Sequence, residues 1–130
     1  MGREIKFRGK RSTNDEWLYG DLMNDNIGGC YIYPIDSENL FKENTVIPDT
    51  VGQYIGIKDN NGVEIYEGDI MTKKPGNKRK GVIKWNSEKC KFQCEWISGD
   101  TPSDINMVLF KGGRVIGNIH DNPELIKKEE

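Results

Sequence analysis

The sequence predicts an all-β protein: a small SH3-like or partly open barrel with extra N-terminal strands and a short C-terminal helical turn. Three observations lead to this class. Short segments of β-forming residues recur, with turn residues about every eight to twelve positions. The pair Asn61-Gly62 separates two such segments and suits a hairpin turn with positive φ. A chain of 130 residues can bury one core. We therefore expect one domain over residues 1–130, with a two-lobed arrangement, residues 1–50 partly distinct, as the alternative.

The N-terminal part is predicted to contain three strands. Ile5 and Phe7 alternate with charged residues, which is typical of a half-buried strand. Further strands are expected over Trp17–Met23 and Cys30–Ile35, each bounded by polar turn residues. The segment Asp36–Asn44 fits a short helix and a loop equally well.

A run of five strands is predicted from Gln53 to Phe110. The turns Asn61-Gly62 and Glu67–Asp69 connect its first strands, and the hydrophilic segment Thr72–Lys80, with Pro75-Gly76 at its centre, forms a long hairpin loop. Ile105–Phe110 is the last strand of this run.

The C-terminal end is predicted to form one more strand, Val115–Ile119, and a short helix. Asn122 is the expected N-cap of this helix, Pro123 takes its first position, and Glu124 adds an acid to the first turn.

The apolar side chains of these elements are expected to form the core. Those predicted to be largely buried are Ile5, Phe7, Trp17, Tyr54, Ile57, Ile65, Ile70, Val82, Trp85, Trp96 and Ile119.

Composition indicates the cellular location expected for the protein. The chain is 35% hydrophobic and 31% charged, and it contains no apolar run long enough to cross a membrane. The charged N-terminus lacks the apolar segment of a signal peptide. We expect a cytoplasmic protein of a bacterial host, with no membrane partner.

The net charge of −2 conceals an uneven distribution. Residues 1–11 contain five basic residues and one acid, and residues 72–84 contain six basic residues and no acid. These segments carry +4 and +6, so the remainder of the chain carries −12.

The basic segments are the candidate contact surface for nucleic acid or another partner. The residues concerned are Lys73, Lys74, Lys78, Arg79 and Lys80 in the loop, and Arg3, Lys6 and Arg8 in the N-terminal strand. Small β-barrels bind nucleic acid through loops and one open face, often with aromatic side chains that stack on bases. Two alternatives remain: a solvated loop with an edge strand protected by its charge, or a homo-oligomer in which basic and acidic surfaces pair.

No catalytic, cofactor-binding or metal-binding residues are assigned, and no small-molecule ligand is predicted. The carboxylates Asp59, Glu64, Glu67 and Asp69 fit structural roles better than acid–base chemistry. Asp59 suits a turn, Glu64 is expected to face solvent, and Asp69 is placed to anchor a turn through buried hydrogen bonds.

The three cysteines and the single histidine would together supply the four side chains of a metal site. The spacing of Cys90 and Cys94 is not typical of zinc, and Cys30 and His120 are distant in sequence. Free thiols and a structural histidine are the favoured interpretation.

Three segments resemble the YopX family of phage and prophage proteins: Arg3–Lys10, Gln53–Ile70 and Val115–Leu125, in the order the family has them. The resemblance implies a small, mostly β protein encoded by phages or prophages, and it supplies no activity or catalytic residues. The expected function is a non-enzymatic accessory protein that binds a partner or self-assembles. A nucleic-acid-binding β-barrel is the alternative, and an enzyme is the remote one.

Overall fold

A computed structural model of the protein describes residues 2–34, 44–74, 76 and 78–127. Its backbone contacts divide the chain into two compact units, Met1–Gly56 and Ile57–Glu130. The predicted all-β class is confirmed, because the described residues form two antiparallel sheets and one short α-helix. Neither sheet closes into a barrel within the described ranges. One domain over residues 1–130 stays a prediction.

The first unit contains a sheet with the strand order β4-β3-β2-β1-β5. A 3₁₀ helix, Pro48–Thr50, precedes β5, and β5 continues for two residues into the second unit. The strands are β1 (Phe7–Lys10), β2 (Trp17–Asn24), β3 (Cys30–Tyr33), β4 (Thr45–Val46) and β5 (Gly52–Lys58).

The second unit contains β6, which follows β5 in the strand order, and a sheet with the order β10-β9-β8-β7-β11. A 3₁₀ helix, Pro123–Ile126, confirms the predicted C-terminal helical turn. The other elements are β6 (Glu64–Tyr66), β7 (Asp69–Thr72), β8 (Lys80–Asn86), β9 (Lys91–Trp96), β10 (Ser103–Asp104), α1 (Ile105–Phe110) and β11 (Val115–Asn118).

Each unit buries apolar side chains of its own. In the first unit Leu18, Ile32 and Val46 form a buried cluster on one face of the sheet, and partly buried apolar residues such as Phe7 and Leu22 pack against it. In the second unit the fully buried side chains include Ile70, Met71, Ile83 and Cys94. Strand alternation assigns the neighbouring residues of β1 and β2 to the opposite face.

The predicted core is confirmed in part. Tyr54, Ile65, Ile70, Val82 and Trp96 are buried, and Phe7, Trp17 and Ile119 are half-buried. The prediction is wrong for Ile5, Ile57 and Trp85, which are exposed. Ile5 lies before the first residue of β1, while Ile57 and Trp85 lie near the ends of β5 and β8.

One local prediction is wrong. Ile105–Phe110 is a helix rather than a strand, and it buries Ile105 and Val108, which lie three residues apart on one helical face. Asn122, Pro123 and Glu124 occupy their predicted positions at the start of the C-terminal helix, but the Asn122 side chain makes no capping hydrogen bond. Its Oδ1 instead accepts a hydrogen bond from the backbone N–H of Asn118.

The predicted strand Cys30–Ile35 ends at Tyr33, and Ile35 lies outside the described residues, as do positions 36–43 of the segment predicted as helix or loop. None of the helices formed by the described residues has the length and apolar character needed to cross a membrane.

Candidate nucleic-acid interface

The basic residues of the N-terminal strand share a sheet face with aromatic rings. Arg8 pairs with Tyr19 and Lys10 with Trp17 between β1 and β2. Paired residues project from the same face, and so do residues two apart along one strand. The pairing of Asp21 with Tyr33 between β2 and β3 therefore extends the face across the sheet. We call it the aromatic–basic face, and Asp21 and Met23 also project from it. Its cationic and aromatic residues are Lys6, Arg8, Lys10, Trp17, Tyr19, Tyr31, Tyr33 and Tyr54.

Three cations of this face lie over aromatic rings. The guanidinium carbon of Arg8 is 4.7 Å from the centre of the Trp17 ring, and Lys10 Nζ is 5.5 Å from the same ring. Lys6 Nζ is 5.2 Å from the centre of the Tyr54 ring. These distances are those of cation–π contacts, which fix the cations relative to the aromatic surface.

The aromatic–basic face has a buried part and an exposed part. Phe7 and Arg8 alternate between the two faces as predicted, but Arg8 is only 6% exposed, so this candidate contact residue has little surface available to a partner. Tyr19 and Tyr33 on the neighbouring strands are 45% and 37% exposed. Since Tyr33 is opposite Asp21, the two tyrosines are diagonal neighbours, about 7–8 Å apart in sheet geometry.

Two carboxylates accompany these cations. Glu4 forms an ion pair with Lys6 at 2.9 Å, and Asp21 projects from the exposed part of the face. Arg3 is exposed ahead of β1.

The predicted hairpin loop between β7 and β8 is confirmed by the pairing of Thr72 with Lys80. Lys73 Nζ lies 5.5 Å from the centre of the Trp96 ring, and Arg79 forms an ion pair with Asp100 at 2.8 Å. Lys74 and Lys78 are exposed.

We call the described residues 73, 74, 76 and 78–80 the basic loop; Pro75 and Asn77 lie outside the described residues. The basic loop belongs to the second unit and the aromatic–basic face to the first. A single patch that combines them stays a prediction.

The carboxylates of the second unit organise its backbone. Asp59 Oδ1 accepts hydrogen bonds from the N–H groups of Asn61 and Val63, and its Oδ2 accepts one from Val115. Asp69 is buried, and its Oδ2 accepts the N–H of Tyr66 at 2.7 Å. Glu64 is half-buried rather than solvent-facing, because its carboxylate accepts the hydroxyl of Tyr66.

The cysteine thiols and His120, the residues considered as metal ligands, differ in their surroundings. Cys94 is buried, and this burial raises the pKa of its thiol to about 12, whereas Cys90 is exposed. The backbone N–H of His120 donates to Asn118 Oδ1. Within the described ranges, no group of three or more His, Cys, Asp or Glu side chains could hold a metal ion.

One further surface feature was not predicted from the sequence. Trp85, predicted to be buried, borders a cleft of about 320 Å³ beside the hairpin of β8 and β9. The exposure of Trp85 could have been inferred from its position immediately before the turn Asn86–Lys89, where the paired strands end.

Comparisons with known proteins identify the family. The model of the YopX protein family matches residues 6–127. The fold is similar to the crystal structure of protein EF1440 from Enterococcus faecalis, with a TM-score of 0.62, 28% identity, and coverage of 97% of this chain and 100% of that chain.

It is also similar to the crystal structure of protein yopX from Bacillus subtilis, with a TM-score of 0.58 and coverage of 99% of this chain and 100% of that chain. At 17% identity this second likeness concerns the fold alone. No curated protein is significantly similar in sequence. Because the family model spans nearly the whole chain, the chain belongs to the YopX family.

Proposed function

We infer that the protein is a non-enzymatic accessory protein of a phage or prophage, acting in the bacterial cytosol, and that it binds single-stranded nucleic acid through the aromatic–basic face. The observation that carries this proposal is the arrangement of exposed tyrosines beside cations on one sheet face. Tyr19 lies opposite Arg8 in the β1–β2 pair, and Tyr33 lies one strand further from the cations.

Stacking supports a single strand as the ligand. The bases of a single strand are accessible on their flat surfaces, and an exposed aromatic side chain on a sheet can stack on any of them. Tyr19 and Tyr33 offer two such surfaces on adjacent strands. In a duplex the bases are already stacked on each other, so the same rings would gain little from it.

Electrostatics supports an anionic ligand on this face. Lys6 and Lys10 are half-buried on it beside the buried Arg8, and the carboxylates of Glu4 and Asp21 offset part of this positive charge. The long-range field is weaker than that of a basic protein, because the whole chain carries −2. We therefore expect modest affinity that depends on local contacts and decreases with salt.

The absence of catalysis is part of the proposal. It is supported by the roles of Asp59 and Asp69, whose carboxylates accept hydrogen bonds from backbone N–H groups that define turns.

Fluorescence anisotropy with a labelled single-stranded oligonucleotide tests the proposal. Replacing Tyr19 or Tyr33 with alanine should weaken binding about 5- to 100-fold, because stacking on an aromatic side chain contributes about 1–3 kcal/mol per base. Phe110→Ala is the matched control, since Phe110 is an exposed aromatic of the second unit.

The three variants should keep the circular dichroism of the parent. Absence of binding by the wild-type protein at low salt would contradict the proposal. An equal loss of affinity in Phe110→Ala would place the contact elsewhere.

A further inference from the structure

Asp21 is an exposed carboxylate on the aromatic–basic face. It follows Tyr19 by two residues in β2 and is directly opposite Tyr33 of β3. Next to these positions, Leu22 packs against the buried cluster of the first unit and Ile32 belongs to it. Because neighbouring residues of a strand project to opposite faces, Asp21 and Tyr33 project away from that cluster, on the same side as Tyr19. The register therefore places one carboxylate beside two exposed tyrosines.

The Asp21 carboxylate is available to a ligand. Other acids of the first unit are engaged: Asp25 accepts backbone N–H groups in the turn between β2 and β3, and Glu4 forms its ion pair with Lys6. None of the hydrogen bonds and ion pairs among the described residues involves the Asp21 side chain. A carboxylate here repels the phosphates of a nucleic acid, so we expect its contact with the ligand to be to a base.

Guanine is the base whose edge suits a carboxylate. A carboxylate accepts hydrogen bonds through two oxygens and donates none, so it binds best to two parallel N–H donors. The Watson–Crick edge of guanine presents such a pair, N1–H and N2–H. Adenine and cytosine place one amino donor beside a ring-nitrogen acceptor, and thymine and uracil place one N–H between two carbonyl oxygens. With these bases the second carboxylate oxygen would face an acceptor.

Sheet geometry allows stacking and this edge contact at the same time. Directly opposite residues of paired strands have Cβ atoms about 4.5–5.5 Å apart. A base stacked on the ring of Tyr33, which is 37% exposed, therefore lies within reach of the Asp21 carboxylate. Lys10 belongs to β1, on the other side of β2 from Tyr33, where a cation can contact the phosphate backbone.

We propose that Asp21 gives the aromatic–basic face a preference for guanine. In this arrangement guanine stacks on Tyr33 and donates its N1–H and N2–H to the two oxygens of Asp21. The inference rests on the proposed binding of single-stranded nucleic acid through this face, and it adds the base that the face selects.

Fluorescence anisotropy at low salt, with thymidine oligonucleotides that differ at one central base, tests the preference. Guanine at that position should be bound at least about fivefold more tightly than adenine, cytosine or thymine, because a bidentate contact discriminates between bases by this factor or more. Hypoxanthine lacks the N2 amino group and should lose most of the gain. 7-Deazaguanine keeps the Watson–Crick edge and should bind like guanine. A single guanine per strand avoids four-stranded guanine structures.

An asparagine variant tests the residue. Asp21→Asn should remove the guanine preference, because an amide offers one acceptor oxygen and one donor group in place of two acceptors. It should bind the all-thymidine strand at least as tightly as the wild-type protein, since a charge that repels phosphates is lost. Asp49→Asn is the matched control: Asp49 is an exposed acid of the first unit outside the paired strands, and the variant should keep the preference.

The outcomes separate this inference from the proposed function. Equal binding of all four bases by the wild-type protein would overturn the guanine preference and leave single-strand binding intact, whereas no binding of any strand would overturn both. A preference that persists in Asp21→Asn, or that is lost with 7-deazaguanine, would assign base recognition to another residue. The comparison of bases uses the wild-type protein, so it does not depend on the folding of any variant.

Discussion

Replacing Asp59 with alanine should destabilise the second unit by about 2.5–5 kcal/mol. The carboxylate is 5% exposed and accepts three backbone N–H groups, two within the Asn61-Gly62 turn and one from Val115 in β11. A hydrogen bond to a charged acceptor contributes about 1.5–3 kcal/mol, which we assign to the long-range bond to Val115. The two turn bonds contribute about 0.5–1 kcal/mol each, because water can replace the lost acceptor there.

Urea denaturation followed by tryptophan fluorescence measures this loss. In a Trp17→Phe background the emission comes from Trp85 and Trp96, both in the second unit. With a urea m-value of about 1.5–2 kcal/mol per molar, the midpoint of Asp59→Ala should fall by roughly 1.5–3 M relative to the Trp17→Phe parent.

The Asp59→Asn variant divides the effect between the bonds. Its amide oxygen can still accept the two turn N–H groups, whereas its NH₂ group cannot accept the N–H of Val115. The expected loss is therefore the Val115 bond alone, about 1.5–3 kcal/mol. An alanine midpoint within about 0.5 M of the parent would refute the assigned role of Asp59, and an asparagine midpoint equal to that of the parent would refute the Val115 bond.

Three further predictions concern local features. Gly62→Val should destabilise the protein by about 1–2 kcal/mol in urea, because φ at Gly62 is +80° and β-branched residues resist that region; an unchanged midpoint would contradict this reason. Hydrogen bonds from Gly29 N–H, the Tyr31 hydroxyl and Ile27 N–H lower the pKa of Asp25 below 3.8, so the stability it contributes is complete above pH 3.8 and decreases as pH falls through the lowered pKa. The Gly29 amide should therefore lose its protection from hydrogen exchange over that acidic range. The Asp25→Asn variant should show no such pH dependence, and protection that increases as pH falls would contradict the lowered pKa. A thiol reagent at pH 8 should label Cys90 rapidly and Cys94 only after unfolding, because burial raises the pKa of Cys94; equal labelling rates in mass spectrometry would contradict it.

The strands and turns were predictable because their signals are local. The Asn61-Gly62 turn has the positive φ that its glycine indicates, and the hairpin loop 72–80 joins the strands expected on either side. The helix Ile105–Phe110 was not predictable as such, since a six-residue segment that is apolar except for Asn106 fits both periodicities. The burial of Ile105 and Val108 distinguishes a helix from a strand, but this burial depends on packing that the sequence alone does not give.

Burial was less predictable than secondary structure. The aromatic residues Trp17, Trp85 and Trp96 look alike in the sequence, but they are half-buried, exposed and buried in the structure. Position along the strand does not explain the difference, because Trp96 is the last residue of β9 and is buried, whereas Trp85 is the penultimate residue of β8 and is exposed. Burial depends instead on contacts between distant segments, such as the hydrogen bond that Trp96 Nε1 donates to Ser103 Oγ. Arg8 is buried for a similar reason, because strand pairing places it against Trp17 of β2.

Binding of single-stranded nucleic acid to the aromatic–basic face can be mapped by titrating the ¹⁵N-labelled protein with an unlabelled single-stranded oligonucleotide, since amide chemical shifts report the contact residue by residue. We expect the largest shifts at Tyr19, Asp21 and Tyr33, small shifts at Lys74 and Lys78, and loss of all these shifts as salt is added. Shifts confined to the basic loop, or no shifts at low salt, would rule out binding through this face.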